Sequence, residues 1–302
     1  MRGSLYHRAI RGFAQLSFPL CQGLGFYIVP RHYYHPVPDT REYHDDTWQR
    51  QSDLVGVDMN EAAQFALLDD FVRSFRSEYE AIPRERPVSP TQYYINCKFF
   101  EAVDGEILYC MIRKFRPRRI FEIGSGMSTL LSAQAHLENR KFGAPECELV
   151  AFEPYPNAVL KAGFRGLSRL VIKKIQDVPL PEFLQLQAND VLFVDSSHTL
   201  KMGGDVVYEL LEIIPRLRPG VMIHVHDIFI PGEYPRDAVL RKHYFWNEQY
   251  AVQAFLAFNK NFEVMWAGNY MHLRHSDRLR KAFSSYNPQG RLPGSMWMRK
   301  LF

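Results

Sequence analysis

Cysteine is scarce: the 302 residues hold four, Cys21, Cys97, Cys110 and Cys147, with no CxxC pair. That pattern argues against a disulfide framework and for a reducing compartment. Long apolar runs are also missing. Ala14 to Pro30 comes nearest, but Gln15, Ser17, Gln22 and several glycines interrupt it, so it is too short of apolar residues to span a bilayer. It also lacks a convincing small-residue cleavage site. A cytoplasmic location is the expectation, and a peripheral membrane contact through this segment is the alternative. No stripe of Lys and Arg with interleaved aromatics occurs. The net charge is only +4 with the charges interspersed, which argues against a nucleic-acid partner. There is no internal repeat and no low-complexity segment. What remains is 46% hydrophobic and 14% aromatic. Such a chain can bury a large core in one domain with an extension.

The stretch around which the rest is arranged is Arg119-Ile120-Phe121-Glu122-Ile123-Gly124-Ser125-Gly126-Met127-Ser128-Thr129-Leu130-Leu131. A short apolar run predicts a buried strand. Two glycines then predict a turn, and an Ala/Leu-rich helix is predicted from Ser128 to about Leu137, with Ser128 as its N-cap. Gly124 and Gly126 permit positive φ and present no Cβ to a ligand. The helix start offers free backbone N–H groups. The motif reads Glu-x-Gly-x-Gly-x-Ser. Ser128-Thr129 stands where a dinucleotide site would have its third glycine. An acid just before the glycines suits a ligand with a cationic amino-acid end better than a pyrophosphate. Taken alone, the motif could equally be an ordinary β–α turn.

Residues 1–85 have a different texture. Pro30 to Asp39 is rich in proline and aromatics and should be extended. His32 and His35 within it read as stacking residues, since no Cys or carboxylate sits at ligand spacing. Glu61–Tyr79 has the period of an amphipathic helix. A second helix is predicted from Asp104, as its cap, to near Phe115. Beyond the glycine motif, strands are predicted at 149–153, 171–175, 190–195, 221–227, 262–266 and 295–299. Helices are predicted at 202–217, 236–259 and 277–286. The alternation predicts an α/β chain: a Rossmann-like, doubly wound, mostly parallel seven-stranded sheet over residues 86–302, with residues 1–85 as an N-terminal helical and extended cap.

In such sheets ligands bind beyond the C-terminal strand ends. Four of those ends carry an acid: Glu122, Glu153, Asp195 and Asp227. Glu153 can accept hydrogen bonds from both ribose hydroxyls of a nucleoside, or can cap a helix ahead of Pro154. It lies 31 residues after Glu122, more than the usual ~20, which suggests an insertion near Gly143. Gln176 and Asp177 can meet an adenine edge, or cap the next helix. His198 follows Asp195 by three residues, and its ordinary pKa suits a base at neutral pH. Asp195 and Asp227 can share a hard cation, and His226 offers a nitrogen that would favour a softer ion such as Mn²⁺ over Mg²⁺. His224 reads as a packed residue. Tyr234, Trp246, Asn247 and Gln249 are candidates for an acceptor pocket.

Glu122-Ile-Gly-Ser-Gly-Met-Ser, the acid at Glu153, Val-Asp195-Ser-Ser-His198 and Val-His-Asp227-Ile-Phe resemble a class I S-adenosylmethionine-dependent methyltransferase. Within that class the chain is similar to the family of macrolide-sugar O-methyltransferases and cephalosporin-hydroxylase-like proteins. The similarity covers roughly residues 90–302. It implies S-adenosylmethionine bound at Glu122, Gly124, Ser125, Gly126, Ser128, Glu153, Gln176, Asp177 and Asp195. It also implies a divalent cation, Mg²⁺ or Mn²⁺, held by Asp195 and Asp227, and His198 as base. His226 departs from the pattern, which often has an acid there. The implied reaction is methylation of a hydroxyl on a small-molecule or saccharide acceptor. The competing readings are a nicotinamide-dependent oxidoreductase, which the missing third glycine disfavours, and a silent nucleotide-binding protein. The aromatic arm at 30–39 should close over the acceptor site or complete a neighbouring subunit in a homodimer.

Overall fold

The computed structural model describes residues 5–302. It divides into two compact units: residues up to Thr47 together with Arg236–Phe245, and Trp48–Pro235 together with Trp246–Phe302. The boundary expected near residue 85 lies inside the larger unit. The reason is the helix α3 (Glu61–Tyr79), whose Leu68 and Phe71 are fully buried and which packs beside α4 (Asp104–Phe115). The smaller unit contains α1 (Leu5–Gly23), the proline-rich arm and the short helix α8 (Arg236–Leu240).

The larger unit is built on one sheet of seven strands. These are β1 (Arg119–Ile123), β2 (Glu148–Phe152), β3 (Arg169–Val171), β4 (Val191–Val194), β5 (Met222–Val225), β6 (Phe262–Ala267) and β7 (Met296–Lys300). Their order is β3-β2-β1-β4-β5-β7-β6. The first five pair in parallel, and β7 runs antiparallel between β5 and β6. This is the Rossmann-like, mostly parallel seven-stranded sheet that the alternation predicts. Apolar residues alternate between two cores, as the two-residue strand period requires. Ile120, Leu149, Val191 and Trp297 face one; Phe121, Ile123, Val150 and Leu192 face the other.

Several elements depart from expectation. Strand β3 ends at Val171, and the chain then turns through Ile175–Asp177. The helix expected from Met202 begins at Asp205, after Gly203 at φ +65°. It widens into a π turn at Glu209–Ile213 and tightens through Ile214–Arg216, where Pro215 ends it. The helix expected over 236–259 is two, α8 and α9 (Glu248–Leu256), parted where His243 takes φ +56°. The polar helix is α10, Gly268–Ala282, nine residues earlier at its start than expected. Asp104 is the first helical residue rather than the cap. Its carboxylate accepts from the backbone N–H groups of Gly294 and Ser295, both at 2.9 Å, and so ties α4 to the start of β7.

Candidate active site

The turn from β1 into α5 (Met127–Lys141) is set by one close approach. Gly124 has φ +76°, and a Cβ there would lie 1.7 Å from the Asp195 carbonyl oxygen. The Asp195 N–H donates to Ile123 O at 2.8 Å, which brings the ends of β1 and β4 together. Only glycine fits such a position. Gly126 differs from expectation: its φ of −173° is extended, and a Cβ on it would meet nothing within 4 Å. The N-cap is Gly126 and not Ser128. Ser128 sits inside the first turn, where its hydroxyl donates to Glu122 Oε1 at 2.6 Å.

Glu122 itself does not reach the ligand space. It is fully buried and accepts from both Ser128 Oγ and Thr129 Oγ1, the latter at 2.8 Å. Burial pushes its carboxyl up to about 8, against the two hydroxyl donors. Glu122 therefore braces the turn as a largely neutral acid at pH 7, instead of offering a negative charge to a cationic ligand end. A folded-state pKa raised above the unfolded value contributes stability that is fully present below about 4.5 and is lost as pH rises through about 8. The ligand-free protein should accordingly melt at falling temperature as pH rises from about 4.5 to about 8. Glu122→Gln should flatten that part of the profile, and an unchanged slope in the variant would rule the assignment out.

Two open clefts flank this turn, of about 390 and 380 Å³. Both are lined by Gly124, Glu153 and Asp195, so they meet at these residues. Glu153 is half-buried between them. Its Oε2 accepts from Ser125 N at 3.2 Å and its Oε1 from Tyr155 N at 2.7 Å. Gln176 lines the first cleft, with Nε2 3.4 Å from Gly203 O. Asp177 is exposed in the Ile175–Asp177 turn and is not part of either wall, contrary to expectation. Lys174 and Lys201, which the sequence did not single out, line the first cleft. Ser125, Gly126 and Ser128 line the second.

Beyond Asp195 lies the reactive cluster. Asp195, His198 and Asp227 each turn one donor atom into a group spanning no more than 4.8 Å. His198 Nε2 is 3.2 Å from Asp195 Oδ1 and 3.6 Å from Asp227 Oδ2. Its Nδ1 lies 3.0 Å from Glu248 Oε2. Trp246 covers the imidazole, with ring centroids 4.7 Å apart. His198 and Asp227 both hold positive φ, 55° and 53°, and such strain in non-glycine residues tends to collect at functional sites. Burial works against charge on His198, but its bonds to Asp195 and Glu248 and the nearby Asp227 win and hold its pKa well above the usual range. Burial likewise works to raise the Asp195 carboxyl, and the His226 and His198 rings beside it bring it down to about 2.

His226 is buried against Phe100, with Nε2 3.8 Å from Asp227 Oδ1 and neither ring nitrogen hydrogen-bonded among the described residues. His224 is packed, stacked on Phe193 and bonded to Ser295, as expected. Tyr234, Asn247 and Gln249 brace loops instead of lining a pocket: Gln249 N donates to Tyr234 Oη, Leu200 N to Asn247 Oδ1, and Phe229 N to Gln249 Oε1. Two participants escaped the sequence reading. Glu248 is one; an acid at the start of a helix right after Trp246-Asn247 was the available signal. Arg291 is the other, with its guanidinium 3.7 Å from Asp227 Oδ1. No local motif marks it.

Residues 121–228 match the model of a family described as a methyltransferase domain. An uncharacterised protein of Archaeoglobus fulgidus is 31% identical over 176 residues, which cover 55% of this chain and 76% of that one. Among solved structures, a candidate protein-L-isoaspartate O-methyltransferase from Plasmodium falciparum, in complex with S-adenosyl-L-homocysteine, is similar at 15% identity. It covers 56% of this chain and 81% of its own, with a TM-score of 0.30. A candidate methyltransferase from Thermobifida fusca is similar at 13% identity, covering 83% and 97%, with a TM-score of 0.41. Overlaps that loose add nothing to the assignment. The chain carries a methyltransferase domain. It belongs to the family that includes the Archaeoglobus fulgidus protein.

Proposed function

We propose that the protein transfers a methyl group from S-adenosylmethionine to a hydroxyl of a polar acceptor. A sugar or glycosylated metabolite is the acceptor class the motif resemblance favours. One observation carries the reading: Asp195 belongs both to the wall shared by the two clefts and to the His198–Asp227 cluster. A donor lying along the clefts would end where groups able to activate a hydroxyl begin.

In this reading the adenosine end occupies the first cleft, with Gln176 at its edge and Glu153 receiving the ribose hydroxyls. The amino-acid end lies along Gly124–Ser128, at the N-terminus of α5, where backbone N–H groups accommodate a carboxylate. Transfer from a sulfonium is an in-line displacement, so positioning supplies much of the rate. Two carboxylate oxygens and one imidazole nitrogen within 4.8 Å fit a divalent cation. Asp195, Asp227 and His198 Nε2 would hold it, and Glu248 would fix His198 so that Nε2 faces inward. Bound there, Mg²⁺ or Mn²⁺ would ease loss of the acceptor proton.

His198 cannot serve at Nε2 as cation ligand and as base together. Without a cation, the proton at Nε2 is held between Asp195 and Asp227, so the ring is charged rather than ready to accept. Asp195, Asp227 and His226 were the expected ligands and His198 the expected base; in this reading His198 Nε2 takes the place of His226, so cation and base become alternatives. The proposal is tested by incubating the protein with methyl-labelled S-adenosylmethionine and a panel of hydroxyl-bearing glycosides. Label should appear on an oxygen of at least one glycoside. Transfer confined to amine or thiol acceptors would refute the hydroxyl assignment.

A further inference from the structure

The helix α1 has three faces of different character. Phe13, Leu16 and Leu20 recur at helical spacing along one side and are 65, 85 and 69% exposed, and Leu24, in the turn just past the helix end, is 67% exposed. Ala14 and Cys21, seven apart, are buried on a second side. Gln15 and Gln22, also seven apart, are exposed on a third. After the helix the chain doubles back: Phe26 N donates to Cys21 O, and Tyr27 stacks on Phe18 at 5.7 Å. This turn adds Phe26, Tyr27, Ile28 and Val29 to the exposed apolar surface and leaves the leucine stripe facing outward. Tyr33 and Tyr34, 81 and 78% exposed, follow in the arm. An apolar surface of this extent has a partner.

Charge indicates which partner. Residues 1–30 include Arg2, Arg8 and Arg11 and no aspartate or glutamate. Pairing this face with a second copy would set two basic segments together without a compensating acid. An anionic lipid surface supplies the opposite charge and an apolar layer at once. Among the described residues no helix is long and apolar enough to cross a membrane, so the geometry is that of a helix lying in the interface. Exposed tyrosines beside it suit the headgroup level, where an apolar ring with a polar tip is favoured.

We propose that α1 and the segment to Val29 dock the protein on an anionic bilayer, with Phe13, Leu16, Leu20 and Leu24 entering the headgroup boundary. The proposal is independent of methyl transfer. The test is flotation of the full-length protein with phosphatidylcholine vesicles, with and without phosphatidylglycerol. Binding should require phosphatidylglycerol and fall about tenfold or more as salt is raised, because screening removes the arginine contribution. Leu16→Asp/Leu20→Asp and Arg8→Glu/Arg11→Glu should each lower it by a similar factor while leaving the thermal melt of the protein in place. No flotation at low salt, or flotation that both variants leave intact, would overturn the proposal. So would a dimer in analytical ultracentrifugation that Leu16→Asp/Leu20→Asp splits, since the stripe would then belong to a second copy.

Discussion

Asp195→Asn is expected to lower methyl transfer by roughly 10²–10⁴-fold, the range for losing a group that assists proton removal. Donor binding should survive, because the glycine turn and Glu153 remain. Chelation should mimic the substitution in the wild-type protein, and Mg²⁺ or Mn²⁺ should restore activity. With the imidazole nitrogen of His198 among the ligands, Mn²⁺ is expected to be the better of the two. The pH profile separates the two states of His198. Its pKa is raised, so without a cation the ring stays protonated through neutral pH and becomes a base only as pH rises beyond its ordinary range. Residual activity in chelator should therefore climb with pH and should vanish in His198→Ala. With the cation present, the rise should move to lower pH, since the ion competes with the proton for Nε2. Full activity of Asp195→Asn, or of His198→Ala in chelator, would remove this cluster from the mechanism.

Gly124→Ala should be the most damaging small substitution in the protein. Its Cβ would overlap the Asp195 carbonyl at 1.7 Å, and alanine would be forced into φ +76°. Left-handed backbone alone costs about 1–2 kcal/mol. Overpacking of this kind adds about 1–3 kcal/mol. Relief requires the ends of β1 and β4 to separate, which opens both clefts. The expected result is a lowered denaturation midpoint together with lost affinity for S-adenosylhomocysteine. Gly126→Ala is the control from the same motif. Its backbone is extended and its Cβ position open, so stability should hold while donor affinity alone declines. A Gly124→Ala protein as stable and as competent in binding as wild type would show that this close approach is not what shapes the site.

Much of the fold was legible in the sequence because it rests on local patterns. Short apolar runs bounded by glycine, proline or an acid marked the strands, since a parallel sheet covered on both faces demands continuous burial. The period of Glu61–Tyr79 identified its helix to the residue. Where the reading failed, distant contacts had overridden local preference. The run from Arg236 to Asn259 holds no proline or glycine and is helix-compatible throughout. It breaks because the N–H groups of Asn247 and Glu248 donate to His198 O, which fixes the start of α9. Asp104 looks like a cap in sequence and instead serves strand β7, 191 residues away at Ser295.

The candidate site shows the same division. Asp195, His198 and Asp227 converge because they follow adjacent strand ends, a placement the order of strands dictates. Their electrostatics could not be read in advance. The state of His198 depends on Glu248, fifty residues on, and that of Glu122 on full burial beside two hydroxyls. Residue type at a strand end established position, and the surroundings established role.

Calorimetric titration of the purified protein with S-adenosylhomocysteine and with NAD tests the central claim most directly. The structure places Glu153 at the wall common to both clefts, where a ribose would bond to its carboxylate. S-adenosylhomocysteine should bind, NAD should give little heat, and Glu153→Ala should weaken the former by about 1–3 kcal/mol, the cost of a lost charge-assisted hydrogen bond. Tight binding of NAD with no response to S-adenosylhomocysteine would contradict the account.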